Sequence, residues 1–247
     1  MDVIYILWLR QLKRYIRARS RIVGSLGQPI LFLVALGFGF GPIYEKAGGG
    51  SYIDFLAPGI IAQGILFTAI FSGIELIWDR QFGFLKETLV APVSRMQIMI
   101  GRTMGGATIA TIQGVIIFIL TIVVGFRPSI YYLPMVVLTM FLLATFFTAL
   151  GTAIASTLTD FQGFQLIMNL LVMPIFFLSG ALFPINFAPS FLKTIAKFDP
   201  LSYGVEGLRH YLVGTNLLGG GSNILVLTVL TFVVLIIGGY LFEKIQI

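Results

Sequence analysis

The sequence has no cysteine, one histidine, His210, and charged residues at only 11% of its 247 positions. Without cysteine there can be no disulfide, thiolate metal site or thiol nucleophile. A single histidine excludes a histidine-rich metal centre and a histidine proton wire, and His210 reads as an interfacial residue. No GxxxxGK[ST] run is present, so the chain has no P-loop with which to hold ATP. The triple glycine Gly48 to Gly50 follows Glu45 and Lys46 without such a motif and reads as flexible linker. His, Asp, Glu and Ser do not cluster as a membrane-embedded enzyme would require, so no catalytic residue is expected.

What is abundant is apolar. Hydrophobic residues make up 57% of the chain, and its mean hydropathy is +0.99. Soluble domains carry about 25% charged residues, so this composition belongs to an integral membrane protein. At about 20 apolar residues per span, the length fits an all-α bundle in a single transmembrane domain. Six spans are predicted, over 22–41, 53–78, 103–125, 132–158, 164–183 and 224–242. The net charge of +6 is carried beside those spans, which favours anionic lipid headgroups over nucleic acid as the partner.

Residues 2–21 form an amphipathic interfacial helix. Arg10, Lys13, Arg14, Arg17 and Arg21 share one side, and Ile4, Leu7, Trp8, Leu12 and Tyr15 supply the apolar side. It reads either as a basic anchor or as a brace for a partner. Glu75 is the one carboxylate clearly inside an apolar run, near the end of span two. It reads as an interfacial carboxylate paired with a local arginine or as a gating residue. Pro174 is expected to break span five, and Pro189, Asp199 and Pro200 to divide 184–221 into short re-entrant helices in the outer leaflet. With the N-terminus inside, eleven Lys and Arg fall inside and five outside. The positive-inside rule then places both termini in the cytoplasm of a cell-membrane protein.

The longest charged island is Trp78 to Arg102, WDRQFGFLKETLVAPVSRMQIMIGR. Helical spacing puts Phe82, Leu85 and Leu89 on one face and Asp79, Arg80, Lys86 and Glu87 on the other. Pro92 stops that helix, and Ser94 with Gln97 forms a capping box that starts the next. The run Gly83, Leu85, Glu87, Thr88, Leu89, Val90, Ala91, Pro92, Val93, Ser94, Arg95 resembles the signature loop of membrane subunits of type-2 ATP-binding-cassette (ABC) exporters. A second stretch, Pro200, Leu201, Ser202, Tyr203, Glu206, Leu208 and Arg209, resembles the motif that family carries before its last span.

The resemblance covers nearly the whole chain and implies a half-transporter. Two membrane subunits, identical or paralogous, would pair around a path, with ATP and Mg bound by separate ABC ATPase subunits and no cofactor in this chain. It implies a coupling hairpin at 79–95, with Asp79, Arg80, Gly83, Lys86, Glu87, Pro92 and Arg95 toward the ATPase. Glu87 and Arg95 are the chosen polar contacts, and Phe82, Leu85 and Leu89 anchor the lever in its own subunit. Phe67, Phe71, Phe176 and Phe177 are candidates for the substrate path, with ordinary helix or lipid packing as the alternative. Pro200, Tyr203, Glu206 and Arg209 mark the outer re-entrant motif. The cargo is an amphiphile: drug, lipid or lipid-linked glycan. The multidrug, daunorubicin-type branch is most similar. The rival reading is a gradient-driven secondary transporter, for which a single off-centre Glu75 is a thin ion site.

Overall fold

A computed structural model describes residues 3–215 and 222–245, and these are helical with no strand among them. Residue 2 of the interfacial helix and residues 216–221 of the outer region lie outside the described residues. Helix α1 (Val3–Arg17) ends at Ala18, whose φ and ψ of −89° and 62° turn the chain into α2 (Arg19–Lys46). The next elements are α3 (Tyr52–Phe71), α4 (Ile74–Gln81), α5 (Phe84–Val90) and α6 (Arg95–Val124). They are followed by α7 (Leu133–Thr157), α8 (Phe161–Leu178), a 3-10 turn (Ile185–Phe187), α9 (Ser190–Ala196), α10 (Pro200–Val213) and α11 (Ser222–Glu243). Six segments among the described residues are long and apolar enough to cross a membrane.

Helix α3 is the axis of the bundle. It is buried along nearly its whole length and packs against α2, α6, α7, α8 and α10. The outer helices keep large side chains exposed, among them Leu31 and Phe38 on α2, Leu166 and Leu170 on α8, and Phe232 and Ile236 on α11. Those are the faces a bilayer would cover. Because lipid gives helices no hydrophobic reason to associate, close packing of small residues has to hold the bundle. One such close approach is Gly73 against Gly151. A Cβ on Gly73 would collide with the Gly151 carbonyl, and one on Gly151 with the Ile70 carbonyl.

That contact explains the first correction to the expected spans. The 53–78 segment is two helices, α3 and α4, separated at Ser72 and Gly73 where the chain presses on α7. Span one runs longer than 22–41 and continues through Pro29 and Pro42. The third span starts at Arg95 rather than 103, on the Ser94–Gln97 capping box, whose two bonds are each 3.2 Å. Pro174 does not break α8, which continues unbroken to Leu178; helix neighbours in a membrane tolerate the missing N–H. In the outer segment α9 and α10 are the short helices expected there, and α10 is sunk among α3, α7, α8 and α11, with nine buried residues.

Arg95 donates to the carbonyls of Glu243 at 2.6 Å and Ile245 at 2.9 Å, just beyond α11. The start of α1 meanwhile lies against Gly101 of α6. Both ends of the described chain therefore share one face with the α4–α5 turn.

Candidate functional site

Two elements build the charged face. Helix α4 ends with Phe82 and Gly83 bonded back to Trp78 and Arg80. Gly83 sits at φ +81°, the left-handed region that side chains avoid, and α5 starts from it in a new direction. The single amphipathic helix expected over 79–90 is thus two helices. Its anchoring face is corrected with it. Leu85 is buried at 1% exposure, but Phe82 stands 83% exposed, because the left-handed residue breaks the helical register between them. Leu89 is half-buried. Lys86, Glu87, Val90 and Pro92 point outward with Phe82. Together they form a mixed apolar and charged ridge. Beneath the ridge, the Arg10 guanidinium lies 3.6 Å over the Phe84 ring.

Asp79 was expected on the wet side and is instead buried, at 5% exposure. It accepts two bonds from Arg10 at 3.0 and 3.1 Å and one from Arg102 at 2.5 Å. Glu75, one turn earlier, accepts from Arg21 at 2.8 Å. Arg14 stands 3.8 Å from Glu75 and 3.6 Å from Asp79. Two carboxylates one helical turn apart repel each other, and four guanidiniums from α1, α2 and α6 offset that repulsion. Glu75 is therefore ion-paired, but with arginines from the start of the chain rather than with neighbouring Arg80. Arg80 donates to the Leu158 carbonyl at 2.8 Å. Of the residues assigned to the hairpin's outer contacts, Asp79, Arg80 and Arg95 are engaged within the subunit. Lys86, Glu87 and Pro92 are exposed, and Gly83 is half-buried.

The sequence reading missed this network, although its signal was present. Arg10, Arg14, Arg17 and Arg21 recur at helical spacing, and Glu75 and Asp79 repeat at four residues. Two short ladders of opposite charge can only be neutralised by lying side by side.

Above the network the four phenylalanines do meet. Phe67 stacks on Phe71 with centroids 6.2 Å apart, Phe176 meets Phe67 edge-on at 6.5 Å, and Phe177 lies 5.4 Å from Phe176. Phe176 is buried, while Phe177 is exposed on the outer surface of α8. Next to Phe67 and Phe71 is a cavity of about 250 Å³, lined also by Tyr15, Arg21, Gln28, Gln63 and Thr68. Gln63 is 1% exposed, and among the described residues neither its amide oxygen nor its nitrogen has a partner. A buried amide left without partners costs free energy unless something polar enters. The Tyr15 hydroxyl donates to Gln113 at 2.7 Å beside the same space.

At the far end of the bundle, Pro200 opens α10 and Asp199 caps it, accepting from the Leu201 N–H at 2.9 Å. Burial pushes the Asp199 carboxyl up to about 7. The Ser202 hydroxyl and backbone N–H, hydrogen-bonding to it, partly offset that push. Tyr203 donates to the Lys197 carbonyl at 2.7 Å. Arg209, expected in an outer loop, is buried at 1% exposure. It bonds Glu206 and the Gly180 carbonyl, the latter at 3.1 Å, and sits 4.2 Å over the Phe55 ring. These contacts tie α10 to α3 and to the end of α8, so the motif is a structural clasp in the bundle. Among the described residues no group of three His, Asp or Glu could hold a metal.

Comparison with known proteins agrees with this architecture. A profile of the ABC-2 type transporter family matches residues 2–213. Nodulation protein J of Rhizobium leguminosarum bv. trifolii is 29% identical over 215 residues, covering 85% of this chain and 78% of that protein. The putative transport permease ycf38 of Pyropia yezoensis is 35% identical over 207 residues, covering 81% and 70%, and the ycf38 permease of Porphyra purpurea is 32% identical over 204 residues. With six apolar helices, a buried ionic hub under an exposed hairpin, and a family match across most of its length, this multi-pass membrane protein belongs to the ABC-2 type transporter family.

Proposed function

We propose that the chain is the translocating subunit of an ATP-driven exporter. ATP and Mg would be bound by a separate ABC ATPase, and the membrane subunit would pair with a second copy or a paralogous permease. The observation that carries this reading is the exposed ridge of Phe82, Lys86, Glu87, Val90 and Pro92, set on the face that carries most of the basic residues. On the positive-inside rule that face is cytoplasmic. Two exposed apolar side chains, Phe82 and Val90, interleaved with charges suit a docked protein partner better than water. The lever behind the ridge is short. Leu85 and the Arg10–Phe84 contact hold α5, and the carboxylates of α4 are ionically tied to α1, α2 and α6. A push on α5 would reach those helices as a rigid-body movement, and a transport cycle needs two discrete packings of such elements. The cavity beside Phe67 and Phe71 would then lie on the route of an amphiphilic cargo.

The test is copurification of the tagged chain from native membranes beside a Glu87→Lys variant. A P-loop ATPase is expected with the original and lost from the variant, at unchanged melting temperature because Glu87 is exposed. If no ATPase accompanies the original chain in several mild detergents, the exporter reading fails and gradient-driven transport takes its place.

A further inference from the structure

The elbow between α1 and α2 shapes a second pocket, of about 490 Å³, lined by Arg14, Ala18, Arg21, Phe71, Ile74, Glu75, Trp78 and Phe161. It adjoins the glutamine-lined cavity, since Arg21 and Phe71 belong to both walls. The two arginines are unequally spent. Arg21 holds Glu75 at 2.8 Å. Arg14 approaches Glu75 and Asp79 only at 3.8 and 3.6 Å and makes no hydrogen bond among the described residues. Both guanidiniums keep about two-fifths of their side-chain surface exposed, at 38% and 42%. Among the described residues Glu75 is the only carboxylate on the wall and is already neutralised by Arg21, and the wall also carries the Trp78–Phe161 stack, with centroids 6.2 Å apart.

We infer that this elbow pocket is an oxyanion site, in which Arg14 and Arg21 receive a phosphate-type headgroup of an amphiphile and exclude cationic amphiphiles. A guanidinium's planar fork matches a phosphate oxygen pair, and Arg14 has that fork to give. The uncharged hydrogen-bonding part of the head then has Gln28 and the unpartnered Gln63 amide within the adjoining cavity. Among the described residues no carboxylate lines that cavity, so an ammonium group would find no counter-ion there and only the ring faces of Tyr15, Phe67 and Phe71. The inference rests on the exporter reading for its amphiphilic cargo, but the binding it describes needs no ATPase.

Trp78, on the pocket wall, is one of two tryptophans in the chain. A Trp8→Phe background makes it the sole reporter. Full-length protein of that background, in phosphatidylcholine nanodiscs, is titrated with a single-chain alkyl phosphate, the matching alkyl trimethylammonium, and inorganic phosphate. The expected result is a Trp78 fluorescence change with the alkyl phosphate, about tenfold weaker or absent with the cation. Arg14→Gln should weaken the phosphate response, Arg14→Lys restore part of it, and Arg14→Glu shift the preference toward the cation, with each response compared at a temperature below that variant's own melting point. Equal binding of both amphiphiles, or phosphate preference surviving Arg14→Glu, overturns the site. A full response to inorganic phosphate alone makes it a free-anion site and overturns the amphiphile. A full response to phosphatidylglycerol added to the disc assigns it to bilayer lipid and overturns the cargo role. Loss of ATPase copurification would overturn the exporter reading while leaving the charge preference measurable.

Discussion

Single residues of this chain divide by whether their charge is compensated. Asp79 is the most heavily compensated, with Arg10 and Arg102 bonded to it inside the subunit. Removing one member of a buried ion pair strands the others, at a cost of about 3–5 kcal/mol. Asp79→Ala should therefore lower the melting temperature in detergent strongly, whereas Glu87→Ala on the exposed ridge should stay within about 0.5 kcal/mol of the parent. Asp199 is the opposite case, a buried carboxyl with no ion pair among the described residues and a pKa that burial raises to about 7 from an ordinary 3.8. Between those values the folded chain holds a proton that the unfolded chain has lost, so stability falls as pH rises through the window. The contribution is fully present below 3.8 and gone above 7. Melting temperature should be higher at pH 5 than at pH 8, and Asp199→Asn should flatten that difference, since asparagine still caps a helix. Spacing showed which charges recur on one face but not which partners they find across the fold. Arg10 and Asp79 lie 69 residues apart, whereas Glu206 and Arg209, three apart on one expected helix, carried a local signal.

At the scale of elements, apolar runs made all six spans legible in outline, because a bilayer's thickness fixes their length. Two breaks were not legible. The Ser72–Gly73 interruption falls on a Ser-Gly pair that the apolar run around it masked, where Gly73 presses on Gly151 of α7. The α4–α5 turn depends on a left-handed Gly83, and a wheel drawn through it put Phe82 on the wrong side. Gly83→Ala should cost about 1–2 kcal/mol and, by misdirecting α5, weaken ATPase binding more than melting temperature. That split is measurable by comparing pull-down yield with thermal unfolding of the same preparation. Phe82→Ser should reduce ATPase retention with no loss of thermal stability, and a fall in stability instead would return Phe82 to the anchoring role that its helical spacing suggested.

For the whole molecule, α3 is the fixed axis, while α2, α8 and α11 present their apolar faces outward. The architecture was foreseeable from hydropathy. The sunken α10 and the docked α1 were not, because both bury polar groups that composition assigns to surfaces. Gly151→Leu should drive α7 from the α3–α4 junction, giving a chain that inserts but is readily proteolysed in detergent. The docking of α1 also constrains how the protein is made. Trp8 donates to Thr108 and Tyr15 to Gln113, partners 100 and 98 residues further along. At 5–20 residues per second, a ribosome needs about 5–20 s to supply them. Through that interval α1 has no seat, and its basic face must keep it at the headgroup surface until α6 arrives; the arginines that later neutralise Glu75 and Asp79 first serve as a mooring.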